Sequence, residues 1–376
     1  MQSIMWSATS GTRSPVWNQV RWELAGDRIL YIMAAFYLIA GGAAISTFGG
    51  LDRFLPIAYL QLWIIGAVHS VPIFILVVLV PRAMKDGSRR PLTDAVATAY
   101  RRTLLPRVMA GIVLILVHAL FWSVFTSVKN TLPNVAPVWF DRQIADFDFA
   151  LHGSNDAWRL LQPFVGYQPI TRLIEILYLN VWLLILTVFP AVLALGRDAG
   201  GLRIRYFATS FLILIVLGNV CAALGMSAGP VYYGYVTGDG GRFADLIDYL
   251  SFSKGQVSSA ADVQDYLWHL FSTNQTHVGS GISAHPSIHV AMATLFFLAG
   301  RSLSRKLGAV FFAYLVIIMI GSVHLGWHYA VDGYASVLGT YAIWHGIGAL
   351  QRLGAGTNGW VLPSGARPDV ASCNSQ

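Results

Sequence analysis

Two short stretches of the chain carry residues that can do chemistry together. The first is Ser283-Ala284-His285-Pro286-Ser287-Ile288-His289, and the second is His324-Leu325-Gly326-Trp327-His328-Tyr329-Ala330-Val331-Asp332. In the second, His328 and Asp332 are four apart. A helical turn sets them on one face, where the carboxylate accepts from one imidazole nitrogen and leaves the other free as a nucleophile. In the first, Pro286 suits the opening position of a helix, with Ser283 or His285 as its cap. His289 then sits about one turn in, near the unpaired N–H groups that make a helix start an anion site. Two imidazoles, a carboxylate and a helix start suit phosphoryl transfer. His328 attacks phosphorus, Asp332 orients it, and His289 protonates the leaving alkoxide before activating the water or alcohol that follows. No metal and no cofactor is required, because hydrogen-bond donors and cations can neutralise the phosphate oxygens.

Two other chemistries compete. His285/His289 and His324/His328 are His-x-x-x-His pairs, a spacing that suits a di-iron oxidase, although such enzymes gather many more histidines. A non-catalytic lipid transporter would also place polar groups in a membrane, but no inverted repeat is visible and the polar residues cluster at one face.

The elements that position these residues follow from composition. Of 376 residues, 55% are hydrophobic and 11% charged, and mean hydropathy is +0.58. Soluble domains carry about 25% charged residues, so this chain lacks a solvating surface. Disorder, a coiled coil and a disulfide scaffold are excluded, and Cys221 and Cys373 suggest neither a disulfide nor a zinc framework. The expected fold is all-α, a polytopic bundle of about eight transmembrane helices. Apolar blocks long enough to span lie at 29–48, 57–80, 108–128, 173–195, 207–226, 286–300, 308–323 and 329–350, the sixth and seventh being short. The segments 129–172 and 227–285 are rich in aromatic residues, Gly and Pro, as short interfacial helices would be. No cleavable signal peptide is expected, since a polar stretch precedes the first span.

A net charge of +7 does not imply nucleic acid, because the basic residues sit in short loops and form no stripe. The segment 81–107 holds Arg82, Lys85, Arg89, Arg90, Arg101, Arg102 and Arg107 against Asp86 and Asp94. Arg197, Arg203 and Arg205 mark a second basic loop, and Arg301, Arg305 and Lys306 a third. Eight spans put all three on the side of both termini, which carry Arg13, Arg21, Arg28, Arg352 and Arg367. The positive-inside rule makes that side cytoplasmic, with the two histidine motifs on the opposite face. Three regions follow: 1–107 with two N-terminal spans and a basic loop, 108–352 as the catalytic membrane domain, and 353–376 as a loose tail.

Pro286-Ser287-Ile288-His289 resembles the second signature of the type-2 phosphatidic acid phosphatase superfamily, and His328-Tyr329-Ala330-Val331-Asp332 its third. Ser227-Ala228-Gly229-Pro230-Val231-Tyr232-Tyr233, and Asp141-Arg142 followed by Asp148, Leu151 and Gly153, are similar to the branch containing inositol phosphorylceramide synthases. The likeness covers about 130 to 350, leaving two extra N-terminal spans. It implies a six-helix core, His328, His289 and Asp332 as catalytic residues, and membrane lipids as phosphate donor and acceptor. The sequence also departs from the broad pattern. Ser322 stands where that pattern has an Arg six residues before the nucleophile, and the Lys-x6-Arg-Pro first signature is missing. The synthase branches lack that Arg too, so other groups must hold the phosphate. Lys129, Arg142 and Arg172 are the candidate cations, Ser287 a further phosphate contact, and His324 either a substrate contact or a packing residue.

Overall fold

Among the described residues each of the eight apolar blocks is helical over most of its length, because a backbone in lipid must satisfy its N–H and C=O groups within the segment. The structure, a computed structural model, describes residues 16–49, 51–76, 80–100, 105–196 and 201–356. Arg13, Arg101, Arg102, Arg197, Arg367 and Cys373 lie outside these residues. So does the expected tail from 357 onward, whereas 353–356 still belong to the last helix.

The long helices are α1 (Arg28–Phe48), α2 (Leu60–Phe74) and α3 (Leu105–Val135). Two short helices follow, α4 (Asp141–Leu151) and α5 (Ala157–Val165), then the long α6 (Gln168–Leu195) and α7 (Leu202–Leu224). Short helices α8 (Ala244–Leu250) and α9 (Ala260–Ser272) precede α10 (Ile288–Leu303), α11 (Arg305–His324) and α12 (Ala330–Gly356). No strand occurs among the described residues. Helices α1, α3, α6, α7 and α11 are long and apolar enough to cross a membrane, and α10 is a shorter apolar helix. The protein is therefore an all-α polytopic membrane bundle.

Lipid tails are as apolar as Leu, so helix association here rests on close packing and polar contacts more than on hydrophobic transfer. Aromatic rings supply the packing. Phe121 of α3 stacks on Phe211 of α7 at 4.1 Å and on Tyr37 of α1 at 4.2 Å. Buried polar pairs add direction: Tyr37 Oη donates to Asn219 Oδ1, and His118 meets Ser210 across α3 and α7. Helix α1 thus packs on α3 and α7, and α2 packs on α3 and α6.

The two ends differ in charge. At one end Arg203 pairs with the fully buried Asp27 at 3.1 Å, Arg107 pairs with Glu23 at 3.0 Å, and Arg205 lies over the Trp344 ring. At the other end lie α4, α5, α8 and α9, the start of α10 and the α11–α12 link. The chemistry-bearing residues gather there.

Candidate active site

Helix α4 holds this end together. Asp141 and Asp148 are seven apart, two helical turns, so both face inward. Asp141 is 1% exposed; its Oδ1 accepts from Ser227 Oγ, the Gly229 amide and Tyr329 Oη, and its Oδ2 from the Ala228 amide, all at 2.8–3.0 Å. Asp148 accepts from the amide of Val331 at 3.0 Å, at the start of α12, where the helix dipole favours a carboxylate. Burial pushes both carboxyls above the usual carboxylate range, against the pull of these hydrogen bonds. The two acids thereby hold the Tyr329 side chain and the Val331 backbone just after His328, and Asp141 also holds the 227–229 segment.

Gly229 shows how tight the fit is. Its φ is +95°, and a Cβ there would stand 2.5 Å from the carbonyl oxygen of Trp327, the residue before His328. Gly229→Ala combines left-handed strain with a backbone clash. It is expected to cost about 1–3 kcal/mol and to lower activity, read as a drop in melting temperature in detergent alongside turnover.

His328 is buried and its Nδ1 lies 2.7 Å from the carbonyl oxygen of Ala284, against 3.7 Å from Asp332 Oδ2. A carbonyl only accepts, so Nδ1 carries the proton and Nε2 keeps its lone pair. The expected direct hydrogen bond to Asp332 is therefore replaced by one to the backbone, 44 residues away. Asp332, fully buried, spends its Oδ2 on the Tyr329 amide at 2.9 Å and its Oδ1 on His285 Nδ1 at 2.8 Å. Being the third residue of α12, it reaches back to the residue before the helix as the acid of a capping box does. His285 is the partner that spacing did not reveal; only its nearness to His289 hinted at a role.

The start of α10 sits two residues later than expected. Ser287 is the cap, its Oγ accepting from the Val290 amide, and Pro286 precedes it instead of opening the helix. Neither Ser283 nor His285 caps. His289 becomes the second residue of α10. Its ring stacks on Tyr178 at 4.5 Å and packs against Trp182 at 4.1 Å. Those rings are brought together by a π-helical turn at Leu177–Val181, a local irregularity often found at functional sites. In sequence the two aromatics, four apart in an apolar block, look like ordinary core. Neither nitrogen of His289 has a hydrogen-bond partner among the described residues. His328 and Lys129 are both near enough for their charges to act on it.

The remaining candidates divide. Lys129, from α3, lies close enough to His289 for its charge to act on that ring, and it forms no ion pair among the described residues. Arg142 is turned away to the carbonyl of Thr237, and Arg172 is held by Glu175 and the carbonyl of Val257. His324, fully buried, bonds through Nε2 to Thr171 Oγ1 at 2.9 Å and so packs α11 on α6. Ser287 is occupied as the cap. Ser322, at the place of the missing Arg, is buried and accepts the His328 amide on its carbonyl. The His-x-x-x-His pairs are split between Asp332, the aromatic rings, Thr171 and Ala284. Among the described residues, no three or more His, Cys, Asp or Glu side chains gather as a metal site.

A family model described as PAP2 superfamily matches residues 142–345, more than half of the chain. No curated protein and no solved structure matches it.

Proposed function

The chain belongs to the PAP2 superfamily, and from that premise we propose that it is a membrane-embedded enzyme working on a lipid phosphate through a phosphohistidine at His328. Membership supports phosphatase or phosphotransferase chemistry in general. The observation that carries the finer reading is the state of His328: Nδ1 is tied to a carbonyl and Nε2 is free, with His289 close enough for their charges to interact.

In the first step His328 Nε2 attacks phosphorus, the bond from phosphorus to the lipid oxygen breaks, and protonated His289 gives its proton to that oxygen. The phosphorylated ring keeps its proton at Nδ1 on the Ala284 carbonyl, and the Asp332 carboxylate at 3.7 Å balances its positive charge. In the second step His289 removes a proton from an alcohol or water, whose oxygen attacks phosphorus and restores His328. Lys129 neutralises the phosphate oxygens. The Trp182 and Trp327 indole N–H groups and the Tyr178 and Ser283 hydroxyls are buried here without partners, and they supply further donors once a phosphate is present.

The likeness to inositol phosphorylceramide synthases favours transfer of a phosphate-bearing headgroup between membrane lipids, with hydrolysis as the same chemistry run on water. The catalytic unit is 108–352. Arg107, Arg203 and Arg205 gather at the end away from the histidines, so the positive-inside rule turns the site toward the non-cytoplasmic face.

Purified protein incubated with phospholipids and isoprenoid phosphates, with and without a lipid alcohol, tests the reading by mass spectrometry of the products. A phosphoryl or headgroup product is expected, and His289→Ala is expected to lower its rate by roughly 10²–10⁴-fold. No product from any lipid phosphate would sink the reading.

A further inference from the structure

A cavity of about 250 Å³ has Arg53 and Asn130 among its walls, together with Ser272, Asn274, Gln275 and Thr276. Arg53 comes from a short turn, Leu51–Arg53, that precedes α2 and falls outside the family match. Its Nη1 donates to the Asn130 carbonyl at 3.1 Å, it has no ion pair among the described residues, and its Nε is buried without a partner. Thr276 Oγ1 is likewise buried and unpartnered. A guanidinium half-withdrawn from water with an idle N–H is costly unless an anion completes it.

The cavity borders the stretch of α3 that carries Lys129. Gly281, at φ +94°, lines the cavity, and a Cβ on it would lie 3.1 Å from Lys129 Cγ and 3.3 Å from Asn130 Nδ2. Lys129 and Asn130 are neighbours on α3, the one serving the histidines and the other the cavity.

We propose that this cavity is a headgroup subsite that binds an anionic, hydroxyl-bearing headgroup, with the charge on Arg53 and the hydroxyls on residues 272–276. The proposal deepens the reading of the enzyme as a lipid phosphotransferase and rests on it for the headgroup's role. Amide and hydroxyl side chains both donate and accept, as the hydroxyls of such a headgroup do. A volume of about 250 Å³ suits a headgroup and not a whole lipid, since pockets for drug-sized ligands begin at about 300 Å³.

The test uses the full-length His328→Ala protein, so that bound probe is not consumed, with and without Arg53→Gln or Thr276→Val. Glycerol 1-phosphate in detergent and phosphatidylglycerol nanodiscs are the two charged probes. They separate a free phosphate ester from a lipid-borne one, and phosphatidylcholine nanodiscs and inorganic phosphate are the comparisons. Arg53→Gln is expected to weaken at least one charged, hydroxylated probe by roughly ten- to hundredfold, and Thr276→Val by a few-fold. Inorganic phosphate, held by Lys129 and His289, is expected to stay within about twofold, which also reports that the variants are folded. The proposal is overturned if both variants bind glycerol 1-phosphate and phosphatidylglycerol as the parent does, or if the parent binds neither. If the wild-type chain turns over no lipid phosphate while Arg53→Gln still loses probe binding, the subsite stands and the enzymatic reading falls.

Discussion

Turnover by His328→Ala is expected to fall by on the order of 10⁴-fold or more, the scale seen when a covalent nucleophile is deleted. The wild-type protein, quenched in alkali during turnover of a phosphorus-labelled lipid, should carry an acid-labile label on this histidine, and the variant should carry none. Retained turnover in His328→Ala would remove the covalent mechanism. Asp332→Asn is the informative companion. Were Asp332 the group that fixes the tautomer of His328, its amide would present the wrong partner and cost nearly as much as losing the nucleophile. Here the Ala284 carbonyl holds Nδ1 at 2.7 Å while Asp332 stands 3.7 Å away. With its oxygen kept on the Tyr329 amide and its NH₂ donating to His285 Nδ1 in the other tautomer, the amide chiefly removes the charge that balances the phosphorylated ring, about 4 kcal/mol at this separation in a medium of effective dielectric 20. The loss for Asp332→Asn should therefore be about 10²–10³-fold, clearly less than for His328→Ala.

The same geometry shows what spacing can and cannot reveal. Runs of about 20 apolar residues have one solution in lipid, so the eight helices are legible from hydropathy alone. The motif histidines are legible too, because polar groups are rare in such a chain, and His289 and His328 come to one end. What is not legible is whatever depends on backbone brought from far away. Any residue at position 284 would offer the same carbonyl to His328. Tyr178 and Trp182 reach His289 because α6 takes a π-helical turn, which hydrophobic period does not announce. Charge alone misleads in the same way: Arg142 and Arg172 read as phosphate ligands until Thr237, Val257 and Glu175 are seen to hold them. Arg53, which the sequence does not single out, lies in a segment joining two spans and is given its place by the fold.

Asp141→Ala is expected to be among the most damaging changes away from the histidines, although Asp141 takes no part in the proposed reaction. Its carboxylate accepts from the Ser227 and Tyr329 hydroxyls and the Ala228 and Gly229 amides, in a place that is 1% exposed. Removing one acceptor group strands all of those donors where water cannot replace it, and each stranded donor costs about 1–3 kcal/mol. Partial relaxation leaves a net loss of about 3–5 kcal/mol, as for a broken buried charge contact. Asp141→Asn separates charge from geometry. With its oxygen placed at Oδ1 the amide satisfies Ser227, Gly229 and Tyr329, but its NH₂ then faces the Ala228 N–H, so it should cost about 1–3 kcal/mol. Tyr329 follows His328 directly, and Gly229 packs on the Trp327 carbonyl before it. Loosening the clamp therefore moves the nucleophile, and a displacement near 1 Å is worth about 10²-fold in rate. Thermal unfolding in detergent should rank wild type above Asp141→Asn above Asp141→Ala. The turnover of protein that is still folded should follow the same order. If Asp141→Ala melts like the wild type and works at its rate, the clamp is not what holds His328 in place.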